Sequence, residues 1–396
     1  MNMSENKKKV VILRAPLLSQ SGYGVHARQI ARWLFQLQDS RNDLEVVCEP
    51  LPWGATPWLI DPEAEDGLVG RVVQSTKQLP HYDVSLQLQL PNEWNPFLAE
   101  YNIGLTAAVE ADKCNPAWLS AVNRMDLVIV PSEFVKSVLT NTGEVTTKVE
   151  VVPESFIAEC LDNTLLPLSD LELETDFNFL IFSQFTGNNP ENDRKNIPYT
   201  IKWFNEAFAD NPNVGVIVKT NMARQTVLDE INCVSVLTKL ISETRKGVGP
   251  KFYLLHGEMT SAEIVGLYKH PKIKALVSLT RGEGFGLPLL EAAVCGKPVI
   301  ATNWSAHTEF LSQGKFIKID YNLAPVHESR VDNQIYLPGF KWANPSEEDF
   351  KRKVLKFYES PKIPEQWATE LAEKLKTSHS PASINEKYTK VLESVI

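Results

Sequence analysis

Residues Arg281-Gly-Glu-Gly-Phe-Gly-Leu-Pro-Leu-Leu-Glu-Ala-Ala-Val-Cys-Gly-Lys-Pro-Val-Ile-Ala-Thr302 follow one short apolar run, Ala275–Leu279, and close with another, Pro298–Thr302. Two apolar runs joined by a glycine-rich loop and a helical stretch read as a strand–helix–strand unit of a parallel sheet. Gly282, Gly284 and Gly286 let the backbone turn tightly and approach a ligand closely. Pro288 suits a first helical turn and Gly296 a helix end, which predicts a short helix from Leu287 to about Cys295. Its free N–H groups and positive dipole end face the glycine loop, an arrangement suited to a diphosphate.

Comparable runs recur along the chain, separated by helical segments. In the first half they fall at Lys9–Leu13, Leu44–Cys48, Val84–Leu90, Ile103–Ala107, Leu127–Val130 and Lys148–Val152. In the second half they fall at Phe179–Ser183, Val214–Lys219, Phe252–His256, Ala275–Leu279, Pro298–Thr302 and Phe316–Ile319. The fold class expected is therefore α/β, with two Rossmann-like, doubly wound parallel-sheet domains. The acidic, aperiodic stretch from Leu161 to Thr175 places the boundary near residue 170, giving domains at 1–170 and 171–396, with the last helix able to pack back on the first. A chain of 396 residues exceeds what one core usually organises, which agrees with two domains. Apolar spacing predicts a helix over Gly24–Leu37, and Thr260 with Glu263 fits a capping box. Gly54–Pro80 and Asn322–Pro345 read as long irregular loops, either functional lids or tolerated insertions.

The composition weighs against several classes of function without excluding nucleic acid. A net charge of -9 argues against nucleic acid as a partner. Lys7-Lys8-Lys9 allows at most a peripheral contact with an anionic membrane. Five scattered cysteines without a Cys-x-x-Cys pair argue for a reducing, cytoplasmic setting and against structural zinc. Seven histidines show no ligand spacing, and no Asp-x-Asp, P-loop or Gly-x-Ser-x-Gly occurs, so no metal ligands and no cofactor are expected.

Glu283 and Glu291 frame the glycine loop and its helix. Carboxylates beside an anionic diphosphate need a reason, and sugar hydroxyls, which donate to carboxylates, supply one. With seven residues between them, these acids resemble the Glu-x7-Glu motif of retaining glycosyltransferases of the two-domain GT-B fold, whose two Rossmann-like domains face a cleft. The likeness is to the group containing bacterial mannosyl- and glucosyltransferases, sucrose synthase and glycogen synthase. It implies that Glu291 binds ribose hydroxyls and that Glu283 contacts the donor sugar. It further implies that the amides of Gly284, Phe285, Gly286 and Leu287 hold the diphosphate. Asp193-Arg194-Lys195-Asn196 resembles the segment whose lysine neutralises that diphosphate, which casts Lys195, and beside it Arg194, in this role. Gln184 and Thr186 stand where relatives place a further arginine, a contact that Lys219 is placed to supply instead. Gly22, Tyr23 and Gly24 resemble the first-domain glycine loop that faces the donor. Glu110 stands where relatives carry a histidine and is the candidate to orient the acceptor hydroxyl. Ser132 reads as a helix cap, and His307 and Glu309 fall near the expected sugar or base pocket. Trp53, Trp58, Trp94, Trp118, Tyr336 and Trp342 read as packing.

The expectation is thus a metal-independent, retaining hexosyltransferase that moves a sugar from a nucleotide-diphosphate sugar to a carbohydrate or glycolipid acceptor. A transferase acting on modified DNA bases and a non-catalytic nucleotide-sugar-binding protein remain the alternatives.

Overall fold

The structure, a computed structural model, describes residues 8–396, so Lys7 of the lysine run lies outside the described residues. The chain forms two compact units. The first comprises residues through Ala108, Lys113–Ser155 and Pro381–Ile396; the second comprises Val109–Asp112 and Phe156–Ser380.

The first unit is built on β1 (Lys9–Ala15), β2 (Leu44–Pro50), β3 (Val84–Leu88), β4 (Tyr101–Leu105), β5 (Leu127–Val130) and β6 (Val149–Val151), in the order β2-β1-β3-β4-β5-β6. Every pairing is parallel. Its helices are α1 (Gly22–Ser40), α2 (Leu68–Gln74), α3 (Leu119–Val122), α4 (Glu133–Thr142) and, from the chain's end, α12 (Pro381–Leu392). Ile30, Trp33 and Leu34 of α1 and Ile384, Tyr388 and Leu392 of α12 enter one core with Val11, Leu13, Leu86 and Ile103. The stretch Gly54–Pro80 is not wholly irregular, because Leu68, Val69 and Val72 bury one side of α2. Ser132 caps α4 by accepting from the Val135 amide.

The second unit carries β7 (Phe177–Phe182), β8 (Val214–Lys219), β9 (Lys251–Leu255), β10 (Ile273–Ser278), β11 (Val299–Thr302) and β12 (Ile317–Ile319). Their order β12-β11-β10-β7-β8-β9 is parallel throughout. It is the strand order of dinucleotide-binding sheets, in which ligands sit beyond the strand carboxyl ends where the winding direction reverses. Here that point lies between β7 and β10. The helices are α5 (Ile197–Ala207), α6 (Val227–Thr244), α7 (Ser261–Lys269), α8 (Leu287–Val294), α9 (His307–Leu311), α10 (Glu347–Glu359) and α11 (Lys362–Ser378). Thr260 and Glu263 form the expected capping box of α7. Phe179, Phe204, Phe208, Phe350 and Phe357 fill the core between sheet and helices.

Two sequence-based expectations differ from the structure here. Residues 322–345 are not a loop: β13 (Tyr321–Pro325) and β14 (Lys341–Pro345) pair antiparallel as a hairpin. Three prolines, at 325, 338 and 345, mask any strand signal, since proline cannot donate to a ladder and is confined to edges and strand ends. The first unit's main stretch also closes at Ser155, ahead of the expected boundary near 170, and the unit resumes at Pro381. The segment after it packs on the second unit, with Leu173 buried and the Leu168 amide donating to Gly266 O at 3.1 Å. No helix among the described residues is long and apolar enough to cross a membrane.

Candidate functional site

The loops leaving β7 and β10 meet at the switch point of the second sheet. The Arg281 amide donates to Arg194 O at 2.8 Å, and Arg194 Nη1 returns a bond to Gly282 O at 2.6 Å. The β7 loop is held internally by Asp193. Its Oδ1 accepts from the Thr186 amide and hydroxyl at 2.9 and 2.7 Å, and its Oδ2 caps α5 by accepting from the Ile197 amide at 2.8 Å. Thr186 is therefore a loop tie and supplies no substitute for a cation. With the loop fixed, Arg194 and Lys195 project toward Glu283.

Lys195 Nζ lies 2.6 Å from Glu283 Oε1, Arg194 Nη1 lies 3.4 Å from Glu283 Oε2, and Arg194 Nη2 lies 3.1 Å from Glu110 Oε1. Glu283 is only 6% exposed. Burial alone would raise its carboxyl, but the Lys195 ammonium and Arg194 guanidinium outweigh that and hold it at about 2. Burial lowers the Lys195 ammonium, with Glu283 opposing. For Arg194 burial also acts downward, yet Glu110 and Glu283 together raise it. Two cations and two acids, largely shielded from water, thus converge at the carboxyl edge of the sheet. Such charges act over low dielectric and need no reorganisation when a ligand's charge develops beside them.

Backbone geometry around Glu283 is equally constrained. Its amide donates to Ser305 Oγ at 2.9 Å. Gly286 caps α8 with φ +105°, where an L side chain is strained, and it brings no side-chain acceptor to the helix's first amides. Within the first turn Pro288 has no N–H and the Leu289 and Leu290 amides turn back to Gly286 O at 3.0 and 3.2 Å, which leaves the Leu287 amide at the helix start for a ligand or solvent. A Cβ on Gly282 would stand 2.4 Å from Glu110 O, so close approach of these two backbones requires glycine. Phe285 packs against Phe310, with ring centroids 5.4 Å apart, and Leu287 is buried. Their only polar offering is main chain. His307, buried beneath Glu283, donates from Nε2 to Thr302 O at 2.7 Å, and burial lowers its imidazole.

The remaining expected residues lie apart from this charge cluster. Glu291 sits in the second turn of α8, 6% exposed, with the Tyr268 hydroxyl 3.5 Å away. Burial, with Cys295 and Glu159 adding, raises its carboxyl to about 8. Lys219 ends β8 and donates to Gly257 O, and burial lowers its ammonium. In the first unit, Gly22 opens α1 and Ser21 accepts from the Gly24 amide at 3.1 Å. There Tyr23 stacks on Trp53, centroids 4.4 Å apart, and its oxygen accepts from the Ala107 amide at 2.9 Å.

The sequence missed two contributors, Tyr336 and Asn196. Tyr336 approaches Glu110 Oε2 at 3.3 Å, and its place at the site comes from the unexpected hairpin. Asn196, in the left-handed region at φ 58° and 1% exposed, has both amide atoms without a hydrogen-bond partner among the described residues. Elsewhere in the unit, Asp229 and Cys233, four residues apart on α6, and His256 place their potential ligand atoms within 4.8 Å of one another. Asp229 there accepts from His256 Nε2 at 2.9 Å and from the Met222 amide at 3.2 Å, bonds that account for its position.

Residues 244–374 match the family described as glycosyl transferases group 1, a stretch that includes Glu283 and Glu291. A probable sucrose-phosphate synthase of Thermosipho melanesiensis is 27% identical over 165 residues, covering 41% of this chain and 35% of that protein. Among solved structures, a glycosyltransferase of Rickettsia africae aligns with a TM-score of 0.67 at 11% identity, over 98% of each chain. The sucrose-phosphate synthase of Thermosynechococcus elongatus aligns at 0.63 and 12%, over 98% of this chain and 99% of that one. HepE of Anabaena, solved with UDP and glucose, aligns at 0.59 and 15%, over 98% and 100%. The fold is that of the GT-B glycosyltransferases, two parallel-sheet Rossmann-like units in one chain.

Proposed function

We propose that this protein is a retaining, metal-independent glycosyltransferase that binds a nucleotide-diphosphate sugar at the switch point of its second unit. The observation that carries this reading is the Lys195–Glu283–Arg194 cluster, set beside the uncapped start of α8. The diphosphate would lie on the amides following Glu283, neutralised by Lys195 and Arg194, and the Glu283 carboxylate would accept from a donor-sugar hydroxyl. Glu291 would serve the ribose. Its Tyr268 contact is at the limit of a hydrogen bond, and its raised carboxyl can donate as well as accept at neutral pH.

In the proposed transfer the acceptor oxygen bonds to the anomeric carbon as the bond from that carbon to the phosphate oxygen breaks. The acceptor's proton passes to the departing phosphate on the same face, so no dedicated base is required. The chain contributes positioning and charge stabilisation. Glu110, whose two oxygens are placed by Arg194 and Tyr336, would orient the acceptor hydroxyl.

HepE was solved with UDP, which makes UDP-sugars the first donors to try. The acceptor proposed is a carbohydrate or glycolipid. The test is a melting-temperature screen with UDP-, GDP- and ADP-sugars, followed by product analysis with EDTA present. A ligand that binds only the native state raises the melting temperature. We expect one nucleotide sugar to do so and transfer to persist in EDTA. No shift with any donor would reject the function, and loss of transfer in chelator would reject metal independence.

A further inference from the structure

The β13–β14 hairpin stands outside the parallel sheet, yet it is fastened to the site loops along its length. The Ala343 amide donates to Arg281 O at 2.9 Å, and the Arg281 guanidinium reaches Asn344. Arg330 Nη1 donates to Thr186 O at 3.0 Å. Lys341 exchanges two bonds with Asp112: the Asp112 amide donates to Lys341 O at 2.8 Å, and the Lys341 amide donates to Asp112 Oδ1 at 2.6 Å. Between these anchors the connection drives Tyr336 inward until it is 1% exposed. Its ring meets Trp342 edge-on at 5.9 Å, and the Arg330 guanidinium covers its face at 4.8 Å. A phenol locked on both sides has one useful freedom left, the direction of its O–H.

That hydroxyl lies 3.3 Å from Glu110 Oε2, and Glu110 Oε1 lies 3.1 Å from Arg194 Nη2. We propose that Tyr336 is a positioning residue for sugar transfer, acting through Glu110 to hold the Arg194 guanidinium. The inference rests on the function proposed above.

The physical need is specific. A buried guanidinium beside a lone carboxylate turns to form a two-bond fork with it. Arg194 would then close on Glu283, removing its positive charge from the diphosphate and occupying the carboxylate meant for the sugar. Glu110 on the opposite side holds Nη2 away, leaving Arg194 stretched between Gly282 O, Glu283 and Glu110. The Tyr336 hydroxyl occupies the other Glu110 oxygen and so selects which oxygen Arg194 receives. Burial raises the Tyr336 phenol, so it stays a neutral donor across the working pH range. At 3.3 Å its bond to Glu110 is longer than a usual O–H···O hydrogen bond.

Tyr336→Phe removes the hydroxyl and keeps the ring, its contact with Trp342 and its cover by Arg330. Steady-state transfer and thermal unfolding would be measured for the wild type, Tyr336→Phe, Glu110→Gln and the double variant. We expect Tyr336→Phe to lower kcat about five- to tenfold, the size of one ordinary hydrogen bond. Donor KM should stay within about twofold and the melting temperature should not move, since packing is retained. The double variant should be no slower than Glu110→Gln alone, because both changes break one linkage. Unchanged kcat in Tyr336→Phe, a fall in melting temperature that accounts for the loss, or fully additive effects would overturn the proposal. A wild-type protein that transfers no sugar would overturn the functional reading along with it, whereas an active wild type with an equally active Tyr336→Phe overturns this inference alone.

Discussion

Lys195 and Glu283 are joined at 2.6 Å and almost hidden from water, so each depends on the other for the energy of being charged there. Removing one member of such a pair strands the other, and a ligand that uses both loses two anchors. Lys195→Ala and Glu283→Ala are therefore each expected to lower transfer by about a hundredfold or more, the range seen when a fixed group is withdrawn from developing charge. Rates alone do not suffice as a check. Circular dichroism should show the fold intact in both variants, and near-normal turnover in both would exclude the assigned roles. Both residues were legible in the sequence because they stand in short motifs beside strand ends. Glu110 was legible only as a carboxylate at a strand end, and nothing local reveals that it faces a guanidinium.

At the scale of elements, α8 is a short helix serving two environments. Its start is an uncapped turn on Gly286, while its second turn buries Glu291 against α7. The second environment has a measurable consequence. An unperturbed Glu titrates near 4.5 and this one at about 8. Between those values the folded chain retains a proton that the unfolded chain gives up, so stability falls as pH rises through the window. Glu291→Gln should flatten that dependence and gain, relative to the wild type, on the order of a few kcal/mol by pH 8. Denaturant unfolding at pH 5 and pH 8 reads this directly, and an unaltered slope in the variant would show that Glu291 is not the group responsible. The twelve sheet strands were readable because near-continuous apolar runs announce strands covered on both faces. The hairpin was not, because β13 is largely exposed, both strands end in proline, and the pair is held by contacts with distant loops.

For the whole molecule, the chain's last helix returns to the first unit. Tyr388 packs against Trp33 at 5.2 Å, and its hydroxyl lies 2.9 Å from His26 Nε2. Tyr388→Ala should therefore cost about 3–5 kcal/mol, the usual toll of deleting a large buried aromatic side chain. Nucleotide-sugar binding by the second unit should persist at temperatures where both units stay folded. Equal unfolding midpoints for variant and wild type would remove α12 from the core of the first unit.

The chain's order along one dimension determined the parallel strands, the glycine loop with its helix, the acid pair seven residues apart and the basic segment after β7, because each is written in neighbouring residues. Tertiary structure alone decided which of these groups meet. It set Arg194 between Glu283 and Glu110, turned Glu291 toward Tyr268, tied Lys219 to Gly257 and brought Tyr336 in from a hairpin over 200 residues away from its partner Glu110. Local pattern records propensity and period, whereas the pairing of buried charges is settled by the cost of leaving any one of them alone in a low dielectric, and that cost is felt only once the chain has closed around them.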